Sequence, residues 1–236
     1  MKVLGIGAGA TGGHYGGRLL RAGADVTFLV KPQRAEQLRE HGLVFESPGG
    51  RSRTQVKTVL GITETDPYDV VLLTCKSYDL DAAVASIAPV VDSRAAILPL
   101  LNGLLAYERL DKRFGVDRVL GGVAYVAVTL GTSDATSQQG SADALFIGAR
   151  SAAASQLARE LATILPNASG PHTLSTAIEQ QLWTKWVMLA AGAVVTCLMR
   201  GTVGQILRPG SWTADRPASH CGVSRSGDCL RPCTRQ

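Results

Sequence analysis

The first hundred residues alternate between short, largely apolar runs and longer segments with helical spacing. Four apolar runs have the length of strands buried on both faces, near residues 3–6, 26–30, 70–73 and 95–98. Helical spacing connects them, near residues 14–22, 32–40 and 78–90. This alternation predicts an α/β fold built on a right-handed, doubly wound sheet.

Other parts of the chain do not follow this alternation of strands and helices. Strand-like segments are predicted at residues 43–46 and 54–60, and a polar loop at residues 131–140 is predicted between further strands. From residue 151 the spacing becomes helical, and a long helix is predicted from about residue 175 to 199.

A glycine-rich segment follows the first strand and opens the first helix. It fits the pattern G-x-G-x-x-G with Gly7, Ala8, Gly9, Ala10, Thr11 and Gly12. In a Rossmann-like fold these glycines allow a tight turn, close approach of a pyrophosphate, and close packing of helix on strand. The helix N-terminus then offers N–H groups to the phosphates. We therefore predict that these six residues bind a dinucleotide, rather than forming a fortuitous turn.

The end of the second strand indicates which dinucleotide is bound. NAD-binding domains usually place an acidic residue there, on the ribose 2′-hydroxyl. This chain has Lys31 and Arg34 instead, and both can pair with a 2′-phosphate. The alternative is a solvated helix start. The charges favour NADP(H).

Three further residues are candidates for chemistry. Lys76 and Asn102 each follow a predicted strand directly, at the edge where open sheets bind ligands. Lys185 lies in the long helix between Trp183 and Trp186, where burial would lower its pKa and make it a usable acid. Each also has an ordinary interpretation, as a strand-end lysine, an Asn-Gly turn and a surface lysine on a helix.

Four motifs, in their order along residues 1–207, resemble those of the ketopantoate reductase (2-dehydropantoate 2-reductase) family. They are Gly7-x-Gly9-x-x-Gly12, Thr74-Cys75-Lys76, Leu101-Asn102-Gly103 and Leu182-Trp183-x-Lys185. The resemblance implies NADPH-dependent reduction of a small 2-oxo acid, ketopantoate, in pantothenate biosynthesis. It places Lys76 and Asn102 at the nicotinamide and substrate site, and makes Lys185 the residue that protonates the carbonyl oxygen.

The chain departs from the family pattern in two places. Asparagines that contact the substrate in the family are replaced by Leu189 and Ala193. The family's helical domain is also expected to be incomplete here, because regular apolar spacing stops after Leu207. Two alternatives therefore stay open: a catalytically incomplete NADP-binding protein, and a reductase of a different carbonyl or imine substrate.

Changes in composition and apolar spacing divide the chain into three parts. Residues 1–168 form the dinucleotide-binding Rossmann-like domain, residues 169–207 begin a helical substrate domain, and residues 208–236 form an atypical tail. The tail is rich in Arg, Pro and Cys, and indicates disorder or a shifted reading frame rather than a metal site. An incomplete helical domain would leave apolar surface on the long helix, which predicts poor solubility, association of chains such as a homodimer, or marginal stability of this domain.

Composition and charge narrow the partners further. The chain is 45% hydrophobic and carries a net charge of +5, but five arginines against two aspartates in residues 208–236 supply most of it. We therefore expect no nucleic-acid partner. The apolar run at residues 187–199 is too short to span a bilayer, so no membrane partner is expected. Cys75 and Cys197 lie in apolar runs and indicate core residues of a cytoplasmic protein.

Overall fold

A computed structural model describes residues 1–47, 50–131, 135–164 and 172–208. The chain divides into two compact units, Met1–Met188 and Leu189–Gln236. The strands are β1 Lys2–Ile6, β2 Asp25–Leu29, β3 Leu43–Ser47, β4 Gly50–Thr54, β5 Lys57–Val59, β6 Val70–Leu73, β7 Ala96–Pro99, β8 Gly121–Leu130, β9 Thr136–Gly148 and β10 His172–Leu174. The α-helices are α1 Ala10–Arg21, α2 Pro32–His41, α3 Leu80–Ser93, α4 Leu105–Phe114, α5 Ser155–Ile164, α6 Ile178–Met199 and α7 Val203–Ile206.

The first sheet is wholly parallel, in the order β5-β2-β1-β6-β7. Alternate residues of its central strands enter two separate cores, as side chains on a strand must. Leu72 of β6 packs with Tyr15 of α1 and Leu38 of α2 in one core. Leu73 packs with Ile87 of α3 and Leu110 of α4 in the other. Helices therefore cover both faces, and the predicted doubly wound, Rossmann-like α/β fold is confirmed.

A second, mixed sheet was not predicted. It has the order β10-β9-β3-β4, with β8 paired antiparallel to β9. The strand predicted at residues 54–60 is confirmed only as β5 at Lys57–Val59 of the first sheet, because Thr54 ends β4 in this sheet. The predicted loop at 131–140 is also too long, since β9 begins at Thr136. Pairing with both β3 and β8 extends the polar start of β9 into a strand.

Three further details differ from expectation. Helix α4 was not predicted, although Ala106, Tyr107 and Leu110 give it a buried stripe. Cys75 is half-buried, but Cys197 is exposed and is not a core residue. Helix α6 is long and apolar enough to cross a membrane, the one such helix among the described residues. Length and composition alone are weak evidence for a span, since helices of soluble proteins pass the same test.

The described part of the second unit, residues 189–208, contains the end of α6 and the short helix α7. A capping box opens α7: Gln205 N–H donates to Thr202 Oγ1, and Thr202 N–H donates to Gln205 Oε1. The boundary predicted at residue 168 and residues 209–236 of the predicted tail lie outside the described residues.

Candidate active site

The glycine-rich loop joins β1 to α1 as its pattern predicts. Gly7 adopts a φ of +83°, which only glycine adopts without strain, and its N–H donates to Leu29 O at 2.9 Å. Gly9 is the N-cap of α1, and a Cβ placed on it would meet no atom within 4 Å. The loop is therefore open on the side where a diphosphate would approach the first N–H groups of α1.

Gly12 closes the other side of the same loop. A Cβ on Gly12 would lie 2.2 Å from Gly7 O and 2.6 Å from Thr74 Oγ1, so no larger residue fits between helix and sheet. The Thr74 hydroxyl donates to Ile6 O at 3.0 Å and joins the ends of β6 and β1. Gly7 in the turn and Gly12 against the sheet thus stand where the pattern predicts a tight turn and close packing of helix on strand.

The two basic residues after β2 have different surroundings. Lys31 is exposed at the N-cap of α2. Arg34 is half-buried and donates from Nε and Nη2 to Ala8 O, at 3.1 and 2.9 Å. Its guanidinium therefore lies beside the glycine-rich loop, within one residue of Gly9.

Three candidate residues follow aligned strand ends. Ile6, Leu73 and Pro99 are partners in the register of β1, β6 and β7. Gly9, Lys76 and Asn102 each lie three residues beyond one of them. Because parallel strands end at the same edge of a sheet, all three belong to its carboxyl edge, and Lys76 and Asn102 are exposed there.

Helix α6 brings Lys185 toward this edge. A Cβ on Gly103 would lie 3.7 Å from the Trp186 ring, so the Asn102–Gly103 loop adjoins the residue after Lys185. In the part of the chain that the structure describes, no hydrogen bond joins Lys185 to Lys76 or Asn102.

Burial lowers the pKa of Lys185 below its ordinary value of 10.5, in the predicted direction. The two neighbouring tryptophans do not bury Lys185 as expected, because Trp183 is 57% and Trp186 is 41% exposed. Lys185 instead faces Tyr125 of β8, with Nζ 5.8 Å from the ring centroid.

A buried polar cluster behind the glycine-rich loop was missed by sequence reasoning. Asp143 of β9 accepts a hydrogen bond from His14 Nε2 at 2.8 Å, forms an ion pair with Arg18, and lies 3.4 Å from the Tyr15 hydroxyl. These contacts fasten α1, the helix that the loop opens, to the second sheet. His14 and Arg18 are four residues apart in α1, but nothing local in the sequence indicates their partner in β9.

Arg150 was also missed, and it joins the elements around Lys185. Its guanidinium bonds to both carboxylate oxygens of Asp111 in α4 at 2.7 and 2.8 Å, and lies 3.5 Å from Glu179 in α6. It also covers the Tyr107 ring at 5.0 Å. The Tyr107 hydroxyl in turn contacts the backbone of Pro99 and Gly122.

No cluster of three or more His, Cys, Asp or Glu side chains suited to a metal occurs among residues 1–47, 50–131, 135–164 and 172–208. The cysteines of the predicted tail, Cys221, Cys229 and Cys233, lie outside these ranges.

Comparison with known proteins gives consistent matches. The uncharacterized oxidoreductase YkpB of Bacillus subtilis is 33% identical over 207 residues, which are 88% of this chain and 68% of YkpB. A 2-dehydropantoate 2-reductase of Nostoc is 30% identical over 122 residues, 51% of this chain and 38% of that protein. The solved 2-dehydropantoate 2-reductase of Geobacter metallireducens superposes with a TM-score of 0.79 at 28% identity, over 89% of this chain and 70% of that one.

The family described as ketopantoate reductase PanE/ApbA matches residues 3–152, more than half of the chain. The match includes the glycine-rich loop and the ends of β6 and β7 that carry Lys76 and Asn102. The resemblance inferred from the four motifs is therefore confirmed, and the chain belongs to the ketopantoate reductase family of oxidoreductases.

Proposed function

We propose that this chain reduces the ketone of a small 2-oxo acid with NADPH. The first substrate proposed is ketopantoate (2-dehydropantoate), in cytoplasmic pantothenate biosynthesis. One observation carries the proposal: Gly9, Lys76 and Asn102 lie beyond aligned strand ends, and the Gly103–Trp186 contact brings the helix of Lys185 to the same edge.

The glycine-rich loop fits a nicotinamide dinucleotide. The space beside Gly9 is open, whereas the position of Gly12 is filled by Gly7 and Thr74. A diphosphate can therefore approach the start of α1 on the side of Gly9. Arg34 adjoins this loop and Lys31 is exposed near it, so their charges favour the 2′-phosphate of NADPH.

When bound, the nicotinamide supplies a hydride to the ketone carbon. Negative charge then develops on the carbonyl oxygen, and the Lys185 ammonium donates its proton to that oxygen. Burial helps this step, because a lowered pKa makes the ammonium a stronger acid near neutral pH. Lys76 supplies a positive charge, and Asn102 an amide donor, for the substrate carboxylate.

A second candidate is reduction of a different carbonyl or imine substrate. It is favoured by Leu189 and Ala193, which stand four and eight residues after Lys185 and offer no polar group to a hydroxylated acid. The third possibility is a chain that binds NADP but converts no substrate. An activity assay distinguishes it from the two reductases.

The assay follows NADPH oxidation at 340 nm with ketopantoate, then with a panel of other 2-oxo acids and cyclic imines. We expect Lys185→Ala to lower turnover by about a hundredfold or more, as loss of a general acid does, while NADPH binding is unchanged. Lys112→Ala is the matched control, because Lys112 is exposed in the last turn of α4.

Three outcomes contradict parts of this proposal. Full activity of Lys185→Ala would remove Lys185 as the acid. NADPH binding without turnover on any substrate would leave only the cofactor-binding function. Failure to bind NADPH would overturn the proposal as a whole.

A further inference from the structure

One face of the β8–β9 pair is shaped to receive helix α6. Gly121 and Gly148 are directly opposite each other in the register of these strands. A Cβ on Gly121 would lie 2.4 Å from Ile178 Cγ1, and one on Gly148 would lie 2.7 Å from Ile178 Cβ. The two glycines therefore form a depression in which the first residue of α6 sits.

From this point α6 continues along the same face. Ile178, Leu182 and Lys185 are spaced by four and three residues, so they form one stripe of the helix. Ile178 and Leu182 are buried against Val123 of β8. Lys185 is next in the stripe, at a position that the helix turns toward the sheet rather than toward solvent.

Tyr125 is the sheet residue that Lys185 meets. It lies on the same face as Gly121 and Val123, because alternate residues of a strand share a face. Lys185 Nζ is 5.8 Å from its ring centroid, within the range of a cation–π interaction. Phe146, its diagonal neighbour across the strand pair, meets the ring edge-on with centroids 6.1 Å apart. The Tyr125 ring is thus held in place beneath the ammonium.

We propose that Tyr125 is a positioning residue of the active site, whose ring face holds the Lys185 ammonium in its charged form beside the Asn102–Gly103 loop. The proposal rests on the proposed function, in which Lys185 is the proton donor. Tyr125 acts through Lys185, since a ring face stabilises an ammonium and not a neutral amine.

The other ionisable groups considered near this helix are paired elsewhere, neutral or exposed, so the stabilisation of the Lys185 ammonium is assigned to Tyr125. Asp143 of β9 lies on the opposite face of the strand pair and is bonded to His14 and Arg18. Glu179 of α6 is paired with Arg150. The Cys75 thiol is half-buried, and burial raises its pKa, so it is neutral near pH 7. Lys76, the remaining candidate cation, is exposed beyond β6.

The proposal predicts in which direction each substitution of Tyr125 changes the pKa of Lys185. Removing the ring takes away stabilisation of the ammonium, so Tyr125→Leu should lower the pKa of Lys185 by about half to one unit. Tyr125→Phe keeps the ring face and should leave the pKa unchanged. Tyr125→Trp offers the strongest cation–π face and should raise it.

The experiment measures the pKa of Lys185 by NMR titration of ¹³C-labelled lysine side chains, with the signal assigned by Lys185→Met. The same variants are compared in the pH profile of kcat/KM for NADPH oxidation. Activity that needs the ammonium falls as pH rises through its pKa, so this fall should begin at lower pH in Tyr125→Leu. If Tyr125→Leu does not fold, as judged by circular dichroism, the Phe and Trp variants carry the test.

An unchanged Lys185 pKa in Tyr125→Leu, or an equal shift in Tyr125→Phe, would overturn the proposal. If Tyr125→Leu did not fold, an equal Lys185 pKa in Tyr125→Phe and Tyr125→Trp would contradict the proposal. The NMR titration needs no turnover. A wild-type chain without activity but with the expected shifts would therefore refute the proposed function, and an active chain without the shifts would refute the role of Tyr125.

Discussion

His14 is a single residue whose charge state is tied to folding. It is completely buried in α1, and its closest polar partner is Asp143 of β9. Burial lowers its pKa below the ordinary value of 6.5, although Asp143 opposes this shift. The folded chain therefore holds His14 neutral at pH values where the unfolded chain already binds a proton.

We predict that the folded state becomes less stable as pH falls below about 6.5. In that range the unfolded chain binds more protons, so the free energy of unfolding decreases by up to about 1.4 kcal/mol per pH unit until the lowered pKa is reached. Urea unfolding at pH 7.5 and 5.5 measures this. His14→Asn should lose this part of the pH dependence, and His41→Asn, at an exposed histidine, should keep it. Equal slopes in the wild type and His14→Asn would contradict the prediction.

Lys31 and Arg34 are predicted to set the preference between cofactors. Replacing them together by Asp and Ala removes two charges that pair with a 2′-phosphate and adds a carboxylate that repels it. The ratio of NADPH to NADH affinity should fall roughly ten- to a hundredfold, as for the loss of charged hydrogen bonds. Fluorescence titration with both cofactors measures it.

Titration with NADH also distinguishes binding of the 2′-phosphate by Arg34 from a second role of this residue, support of the glycine-rich loop. Its bonds to Ala8 O support the glycine-rich loop, and their loss would weaken binding of both cofactors equally. An unchanged affinity ratio would refute the 2′-phosphate assignment, even if both affinities decreased.

At the scale of elements, the junction of β1 and α1 gives a sharper test of cofactor binding. Gly9→Ala adds a methyl group where the structure has open space, at a φ of −80° that any residue adopts. Its thermal stability should equal that of the wild type, while NADPH affinity should fall about tenfold or more, because the methyl group occupies the approach of the diphosphate.

Gly12→Ala is the matched comparison. Its methyl group would collide with Gly7 O, so both the melting temperature and NADPH affinity should decrease. Differential scanning fluorimetry with and without NADPH distinguishes the two variants. Normal NADPH binding by Gly9→Ala would mean that the diphosphate does not lie on that side of the loop.

The elements that could be predicted from the sequence are those whose signal is local. Strands β1, β2, β6 and β7 are short and largely apolar, so their length and composition identify them. Helix α4 follows the Asn-Gly turn at Asn102 and was overlooked, although Tyr107 and Leu110 have helical spacing. The polar start of β9 has no such signal, because pairing with its neighbours β3 and β8 makes it a strand.

At the scale of the whole molecule, the candidate site combines a predictable part with one that the sequence did not indicate. The predictable part lies at the carboxyl edge of the first sheet and consists of the glycine-rich loop and the residues after β6 and β7. The parallel order of this sheet follows from the alternation of strands and helices. Tyr125, Asp143 and Arg150 belong to β8, β9 and the residues beyond. Their partners are distant in the chain, so no local pattern pairs them.

Strand β9 contacts two helices, one on each of its faces. Asp143 on one face holds α1, which begins at the glycine-rich loop, whereas Gly148 on the other face receives Ile178 of α6. A slip of one residue in its pairing with β8 would exchange these faces, so that Ala144, for example, would take the position of the carboxylate. The proposed sites of nucleotide binding and of proton donation therefore both depend on the register of this one strand.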